Sequence, residues 1–532
     1  MKTEFCNTSR LTGFIFRRER VVSIAWIVIL AFFCLVVPIA FENLYPSTAD
    51  LTGLLDMLKS PTMAMMMGPI YTTGAGINIG QLNAAMMILY SATAAAIMNI
   101  FLVVRHSRRD EERGRLEVVR SLPVGRLSNL GSVLIVALAV NLVLALVLGL
   151  GLGALGVDGI TLLDGLTYGF AVGVCGLFFA AAAALIAQIF ASSKSAIGVS
   201  FIVLGVAFIM RAYGDVSSET VSRVSPLGLV LRVQASAGDY WWPIVALFIV
   251  SAAVAAVALY LNSLRDVDQG FIAARPGKKT GRIRTPLGLA LRLERGTLIG
   301  WAIGMFAIGA AYGSVLGDLG AFLNASDIIK QMFASNAAME LAPQFTAKIL
   351  SMYAIVSAIP SLIILNKLRS EEIRGRAEQI LARPVSRYRL LAAFLGIAAV
   401  TGVAMLFVVA LGYYAAGYSV APQLADLALT LRSSLIYIPA VLCTCALAAF
   451  LLGFFPRAQI INWIYLFVSF VVVYLGDILK MPVWLKRLTL YGNIPRIPIE
   501  DVRVWIMIVM IAAAAVLAAA GFKGFRERDL GA

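Results

Sequence analysis

The sequence is poor in charged side chains and contains a single histidine. Only 14% of its 532 residues are Asp, Glu, Lys or Arg, where a soluble domain carries about a quarter. His106 stands alone beside Arg105, and we interpret it as a surface residue, not a ligand. Because acids, histidines and cysteines do not cluster as catalytic groups would, the sequence predicts no active site of its own.

Cysteines and phosphate-binding glycines are also missing from the patterns that chemistry requires. The five cysteines are Cys6, Cys34, Cys175, Cys443 and Cys445. Their spacing fits no metal site, and they predict no disulfide framework. A phosphate-binding loop needs a glycine, four residues and then Gly-Lys-Ser/Thr. The nearest candidate, 277–280, lacks the first glycine and has Lys279 at the hydroxyl position, so we interpret it as a basic linker.

Apolar residues dominate what is present. The chain is 60% hydrophobic with a mean hydropathy of +0.88, which predicts an integral membrane protein. Its long apolar runs are 21–41, 83–104, 129–153, 165–190, 195–213, 241–262, 297–318, 348–366, 390–415, 433–455, 459–479 and 503–522. The first run follows a basic lead and is long enough to span a bilayer, so we predict a retained transmembrane helix and not a signal peptide. The predicted fold class is an all-α membrane protein with about twelve transmembrane helices.

The net charge of +15 has a topological explanation. Lysines and arginines concentrate in segments that fall in the cytoplasm when the amino terminus is inside, as the positive-inside rule expects. The linker 263–284 and the tail from Lys523 lie on the same side. We therefore predict a multi-pass protein of the bacterial cytoplasmic membrane that binds no nucleic acid.

Two charged stretches, 110–126 and 371–387, repeat each other without a gap. Both carry Glu, Arg-Gly-Arg, Glu, Pro and Arg at the same spacing. The shared residues are Glu111, Arg113, Gly114, Glu117, Pro123 and Arg126 in the first copy, and Glu372, Arg374, Gly375, Glu378, Pro384 and Arg387 in the second. A match of this length indicates that the chain is a duplication.

The duplication begins before the first span of each half, in a basic amphipathic lead-in. Gly13, Arg17, Glu19, Arg20 and Trp26 overlay Gly288, Arg292, Glu294, Arg295 and Trp301. Such a stretch is typical of a helix that lies on the membrane surface in contact with lipids. The predicted organisation is a six-span repeat over 1–262, a basic cytoplasmic linker over 263–284 and a second six-span repeat over 285–532.

Each charged copy is predicted to form a short amphipathic cytoplasmic helix between the second and third spans of its half. Arg113 and Glu117 are four residues apart, as are their counterparts, which suits one helix face. Two apolar stripes with helical spacing accompany them: Leu116, Val119 and Leu122, and Ala377, Ile380 and Leu381. Pro123 and Pro384 then end the helices. A solvated loop could orient the spans by charge alone, but it would not need this order, so we predict that a partner recognises both copies.

Features inside and between the spans are less informative. Arg211 lies in an apolar run four residues before Asp215, and a functional role and simple pairing or snorkelling are equally compatible with that position. One stripe of glycines in the seventh span predicts close helix packing: Gly300, Gly304, Gly309, Gly313 and Gly317. Long external segments follow the first and seventh spans, with short helices predicted around 54–58 and 328–333.

The paired motif, Glu-x-Arg-Gly-Arg-x-Glu followed by Pro-Val-x-Arg, resembles the ABC-2-type exporter permeases. Six spans per half and a lead-in helix complete the likeness, which covers the whole chain. The closest resemblance is to the duplicated branch of polyketide antibiotic exporters, the tetronasin-type permeases. The resemblance implies a transport subunit without enzymatic activity that moves a hydrophobic or amphipathic small molecule or peptide out of the cell.

In that family the segment between spans two and three is a coupling helix that docks on a separate ATPase subunit. The resemblance therefore implies that the six shared residues of each copy contact one of two ATPase copies. It also implies that these partners bind ATP and Mg, and that this chain holds no cofactor. Because Glu112 has Ile373 as its counterpart, the two docking surfaces are not expected to be equivalent.

Two other classes compete with this interpretation. A secondary transporter of the major facilitator type also has twelve spans, an internal repeat and an Asp-Arg-x-Gly-Arg motif in equivalent loops. The glycine expected before that motif is missing here, the charged segment extends to Pro123, and the spans show no buried acids suited to proton coupling. A channel or scaffold without energy coupling would leave the repeated motif unexplained.

Overall fold

The computed structural model describes residues 4–45, 54–55, 58–73, 76–266, 269–272, 285–320, 341–476 and 481–529. These residues are largely helical and form no β-strand. Twelve of the described helices are long and apolar enough to cross a membrane, which confirms the predicted fold class. The chain divides into two compact units, Met1–Gly277 and Lys278–Ala532.

The first unit contains six spanning helices and several short ones. They are α1 (Thr8–Leu44), α2 (Pro61–Met67), α3 (Ile79–His106), α4 (Arg108–Glu111), α5 (Arg115–Arg120), α6 (Ser128–Gly153), α7 (Leu162–Ile189), α8 (Ser193–Ser217), α9 (Glu219–Val224), α10 (Pro226–Leu231) and α11 (Trp242–Leu264). Capping boxes fix the starts of α3, through Asn78 and Gln81, and of α7, through Thr161 and Asp164.

The second unit follows the same order of spans. Its helices are α12 (Pro286–Ser314), α13 (Leu341–Ile373), α14 (Arg376–Leu381), α15 (Arg387–Val420), α16 (Leu427–Leu435), α17 (Ile438–Phe454), α18 (Ile460–Leu475), α19 (Val483–Leu488) and α20 (Val504–Glu527). Three 3-10 turns, Val315–Asp318, Pro456–Gln459 and Tyr491–Asn493, connect them.

The second and fourth spans of each unit form its core. Their most apolar windows are 67% and 78% buried in α3 and α7 of the first unit, and 72% buried in both counterparts of the second. The first and sixth spans lie at the periphery, with 17% and 22% buried in the first unit and 22% and 17% in the second. In both units, therefore, the second and fourth spans are the most buried and the first and sixth the least, as a duplication predicts.

Close helix contacts in both units depend on small residues. A Cβ on Gly309 or Gly313 would lie 2.3 or 2.1 Å from a carbonyl oxygen of α15, so these two glycines allow the close packing predicted for the seventh span. A Cβ on Gly300 or Gly304 would meet no atom within 4 Å among the described residues, so close packing of the helix is not seen at these two positions.

Two buried asparagines join α3 and α6 in the core of the first unit. The Nδ2 atom of Asn99 donates to Oδ1 of Asn141 at 2.9 Å, and Nδ2 of Asn141 donates back at 2.7 Å. Each amide therefore satisfies the other where water is absent, which fixes the register of the two helices.

Arg211 is buried, with its side chain 0% exposed, so it does not snorkel towards water. Its Nη1 atom is 3.3 Å from Oδ2 of Asp215 and donates to the carbonyl oxygen of Ala64 at 3.1 Å. Pairing with Asp215 is therefore present, while Nε and Nη2 of Arg211 have no hydrogen-bond partner among the described residues. Of the predicted external helices, 328–333 lies outside the described residues, and Leu54, Leu55 and Leu58 are buried helical positions.

Candidate functional site

Both charged motifs lie at the end of their unit that the charge pattern assigns to the cytoplasm. In the first unit the motif connects α3 to α6, and in the second it connects α13 to α15. Gly114 and Gly375 both adopt a left-handed conformation, with φ of 68° and 67°. Glycine suits this conformation because it has no Cβ to clash with the backbone.

The left-handed glycines correct the predicted helix. α5 and α14 begin only after them, so Arg113 and Arg374 lie in the preceding turn and do not share a helix face with Glu117 and Glu378. Residues four apart share a helix face only if the helix is continuous between them. Here a left-handed turn at the glycine interrupts the helix between the arginine and the glutamate.

The apolar anchor of each short helix is its first apolar residue. Leu116 is 6% exposed and Ala377 is 1% exposed, while Leu122 at the end of the predicted stripe is 60% exposed. The helices end at Arg120 and Leu381, before the exposed prolines that were predicted to stop them. Each short helix is therefore anchored at its start, and the residues that follow it up to the proline are exposed.

The first glutamate of each motif is buried and paired inside its own unit. Oε1 and Oε2 of Glu111 accept hydrogen bonds from Nη1 and Nη2 of Arg265 at 2.8 and 2.7 Å, and Arg108 donates to Oε2 at 2.9 Å. Glu372 accepts two bonds of 2.7 Å from Arg528 in the same way. The glutamate side chains are only 2% and 1% exposed.

The last arginine of each motif binds the same place. Nη2 of Arg126 donates to the carbonyl oxygen of Arg265 at 2.8 Å. Nη1 of Arg387 donates to the carbonyl oxygens of Arg526 and Arg528 at 2.7 and 2.6 Å. Residues at both ends of the motif therefore bind the chain at the cytoplasmic end of the sixth span. We call this arrangement the clasp: Glu111, Arg126 and Arg265 in the first unit, and Glu372, Arg387 and Arg528 in the second.

Four other motif charges are exposed, and we call them the exposed set. Its members are Arg113, Glu117, Arg374 and Glu378. Within the part of the chain that the structure describes, no hydrogen bond or ion pair engages these side chains. Pro123 and Pro384 are exposed beside them. Among the described residues, the motif thus separates into charges paired within the unit and charges that are exposed and unpaired.

The lead-in segments are continuous with the first span of each unit, and do not form separate helices on the membrane surface. α1 runs unbroken over 37 residues, which at 1.5 Å per residue is longer than the hydrocarbon core of about 30 Å. Its first turns therefore extend out of the membrane. The lead-in arginines are exposed: Arg17, Arg20, Arg292 and Arg295.

The glutamates of the lead-ins are buried. Glu19 is 3% exposed and lies 3.1 Å from Nη1 of Arg105 and 2.7 Å from Nε2 of His106. His106 is 1% exposed, so its interpretation as a surface residue is wrong: the lead-in covers it. Glu294, the counterpart of Glu19, is also 3% exposed.

A further bridge ties the first motif to the first lead-in. Nη1 and Nη2 of Arg18 donate to the two carboxylate oxygens of Asp110 at 2.5 and 2.9 Å. The position equivalent to Arg18 in the second half is Leu293, which cannot form this bridge. This bridge therefore belongs to the first copy and has no equivalent in the second.

Among the residues that the structure describes, two more contacts occur around the first copy and not around the second. Glu112 accepts hydrogen bonds from the backbone nitrogen and Oγ of Ser193, at 2.6 and 2.5 Å, at the start of α8. Its counterpart Ile373 is 69% exposed. The amino-terminal segment also pairs with the first copy, because the backbone nitrogen of Gly125 donates to the carbonyl oxygen of Cys6 at 3.1 Å. A Cβ on Gly125 would lie 2.1 Å from a carbonyl oxygen of this segment.

A cleft of about 400 Å³ lies between α1 and α5 in the first unit. Its walls are mostly apolar, and include Phe14, Leu116 and Val118, with Arg18 and Asp110 at one side. Phe14 and Val118 are 56% and 69% exposed. The cleft therefore offers an apolar recess beside the exposed charges of the first motif.

The site contains charges and apolar surface, and no metal centre among the described residues. No group of three His, Cys, Asp or Glu side chains there could hold an ion. The segment 277–280, interpreted as a linker, lies outside the described residues, as does most of 263–284.

Comparison with known proteins identifies the family. The family described as "Multidrug efflux system permease Rv1217c, C-terminal domain" matches residues 9–261 and 283–526, and these two ranges fall in the two units. The chain belongs to this efflux permease family. It is 33% identical over 536 residues to the multidrug efflux system permease protein Rv1217c of Mycobacterium tuberculosis, covering 99% of this chain and 96% of that protein. The chain is therefore a multi-pass permease of the cytoplasmic membrane.

Sequence reasoning missed the partners of the buried glutamates. Arg265 and Arg528 lie 154 and 156 residues away from them, far beyond any local spacing rule. One signal was present: each sixth span is followed by an Arg-Asp pair, Arg265-Asp266 in the first half and Arg528-Asp529 in the second. Comparing the two halves beyond the motif would have found it.

Proposed function

We propose that the chain is the membrane-spanning subunit of an ATP-driven ABC exporter of the ABC-2 type. Two copies of a separate ATPase subunit would bind ATP and Mg and dock on the two motifs. The proposed cargo is a hydrophobic or amphipathic compound, such as an antibiotic, a drug or a lipid-like molecule. The family supports efflux, and neither match singles out the tetronasin-type branch, so that finer assignment stays part of the proposal.

The observation that carries the proposal is the exposed set. In both units, among the described residues, the arginine one position before the left-handed glycine and the glutamate three positions after it are exposed and unpaired. A surface that needed only solubility would not retain this order after duplication. Exposed charges at the edge of an interface determine its register and its choice of partner more than its affinity.

The proposal narrows the set of residues that contact the ATPase. Glu111 and Glu372 are buried and Arg126 and Arg387 bind backbone carbonyls of their own unit, so their part is to hold the motif. The proposed contact surface consists of the exposed set, the adjoining Pro123 and Pro384, and the exposed apolar residues Val118, Leu122 and Ile373. Because Glu112 binds α8 and Ile373 is free of that contact, the two surfaces are not equivalent.

The test reverses one exposed charge in each unit. Glu117→Lys combined with Glu378→Lys should abolish co-purification of the cognate ABC ATPase and restore drug accumulation in cells. The matched control reverses exposed acids at the opposite end of the spans, Asp158→Lys combined with Asp501→Lys, with the same change in net charge. This control should bind the ATPase normally.

Two results would overturn the proposal. One is a charge-reversed permease that inserts normally and retains the ATPase at the usual ratio. The other is efflux that follows the proton gradient and persists without ATP, which would favour the major facilitator alternative.

A further inference from the structure

We propose that the clasp transmits motion from the ATPase-facing motif to the sixth span of each unit, with Arg265 and Arg528 as positioning residues. This inference rests on the proposed function, and it assigns the arginines a part in coupling that neither the family nor the motif indicates. The proposed partner is still the ABC ATPase. The inference adds the route by which movement of the ATPase reaches the membrane spans.

The geometry of the clasp makes it rigid. Each glutamate receives two hydrogen bonds from one guanidinium group, and bidentate pairs of this kind fix orientation as well as distance. The arginine side chains are 8% and 13% exposed, so water screens the pairs little. The motif's last arginine adds a bond to the carbonyl end of the same chain segment.

Covalent connections alone do not give the sixth span this link. Each motif is joined by the chain only to spans two and three, which lie in or beside the core of the unit. The sixth spans, α11 and α20, are peripheral, and only 22% and 17% of their apolar windows is buried. Through packing, a pull on the motif reaches them chiefly by way of the fourth span, whereas the clasp connects it directly to their cytoplasmic ends.

The clasp recurs although its surroundings differ. In the first unit Arg265 also binds Oε1 of Gln188 and the carbonyl oxygen of Gln269. In the second unit Arg528 lies over the ring of Phe525, and Arg369 is the second cation near the glutamate, at 3.2 Å. The glutamate–arginine pair and the bond from the last arginine are what the two units share.

Stability alone is a poor reason for this arrangement. Replacing a buried ion pair by apolar residues of similar volume is often neutral or stabilising, so such pairs are weak evidence of a purely structural role. An arrangement kept in both halves, joining the proposed docking segment to the peripheral sixth span, is better explained by transmission.

The test uses the full permease assembled with its ATPase in liposomes. The variants are Glu372→Gln, Arg528→Gln and their combination. Each should retain the ATPase and hydrolyse ATP, while drug transported per ATP falls by about tenfold, within the range typical of coupling between sites. The double variant should lose no more than either single one, because both break the same pair.

The matched control is Glu371→Gln, one residue earlier. Glu371 pairs with Lys367 and Arg376, both within the same segment, and among the described residues no hydrogen bond or ion pair joins it to the sixth span. Its transport per ATP should stay near the unmodified value. Arg528→Lys keeps the charge but loses the two-pronged geometry, so it should insert normally and show a partial loss.

The outcomes separate the two proposals. An unmodified permease that binds no ATPase would refute the proposed function itself. An unmodified complex that transports, together with Arg528→Lys and Glu372→Gln variants of unchanged transport per ATP, would refute the clasp as a transmission element. Variants that lose the ATPase in proportion to transport would show that the clasp only shapes the docking surface, which also overturns the inference.

Discussion

Replacing the left-handed glycines by alanine probes the shape of the docking segments. A Cβ at Gly114 or Gly375 would find no neighbour within 4 Å among the described residues, so the substitution adds no clash. Its cost is the left-handed backbone, roughly 1–2 kcal/mol for a residue other than glycine. Alanine also lowers the conformational entropy of the unfolded chain, which stabilises the folded state by about 0.4–1 kcal/mol and offsets part of that cost. The expected net loss is therefore about 1 kcal/mol per site.

Two measurements check this value. Thermal unfolding of the purified permease gives the loss of stability, and titration with the cognate ATPase gives the affinity. If the segment leaves the left-handed conformation to relieve strain, the exposed set moves and affinity should fall by up to about tenfold, the equivalent of 1.4 kcal/mol. Gly114→Asn should retain most of the affinity, because asparagine tolerates this conformation.

Gly396→Ala is the matched control. Gly396 lies inside α15, and a Cβ there also meets open space within the described structure. In an ordinary helix this substitution should stabilise by roughly 0.5–1 kcal/mol. If Gly114→Ala and Gly375→Ala stabilise the permease as much as Gly396→Ala does, the reasoning from the left-handed turn is refuted.

Three further predictions concern the first unit. Burial, with a hydrogen bond from a neighbouring carboxyl group, raises the pKa of Asp239 to about 6 from 3.8, so the folded state holds this proton and stability falls as pH rises between these values. Asp239→Asn should therefore raise Tm at about pH 7.5 and leave it nearly unchanged at about pH 3.5. Asn99→Leu or Asn141→Leu should each cost about 1 kcal/mol in unfolding assays, and the double variant less than their sum. Arg211→Met should destabilise by about 3–5 kcal/mol by leaving Asp215 unpaired, and adding Asp215→Asn should recover part of the loss.

The spans and the duplication could be predicted because their signals are local. Apolar length alone identifies a helix that must satisfy its backbone in lipid, so all twelve spans appear where the hydropathy places them. The repeated motif needed only a comparison of the chain with itself. The short helices α5 and α14 and their ends before Pro123 and Pro384 followed from the same kind of pattern.

The buried network could not be predicted because its partners are distant in the chain. Glu111 and Glu117 look alike in sequence, but one is 2% exposed and the other is exposed, because only Glu111 lies within reach of Arg265. His106 was misjudged for the same reason: Glu19, which binds it, is separated from it by 87 residues. The left-handed glycines were also missed, since a glycine within a helical pattern does not by itself show a turn.

Site-specific photo-crosslinking in native membranes tests the central claim most directly. A photoreactive residue is placed at Glu117 in one variant and at Glu378 in another. Both variants should capture the ABC ATPase, and a control variant with the same residue at Asp501 should not. Capture at only one motif position, or at neither, in a permease that still exports drug, would contradict the claim that both motifs bind the ATPase.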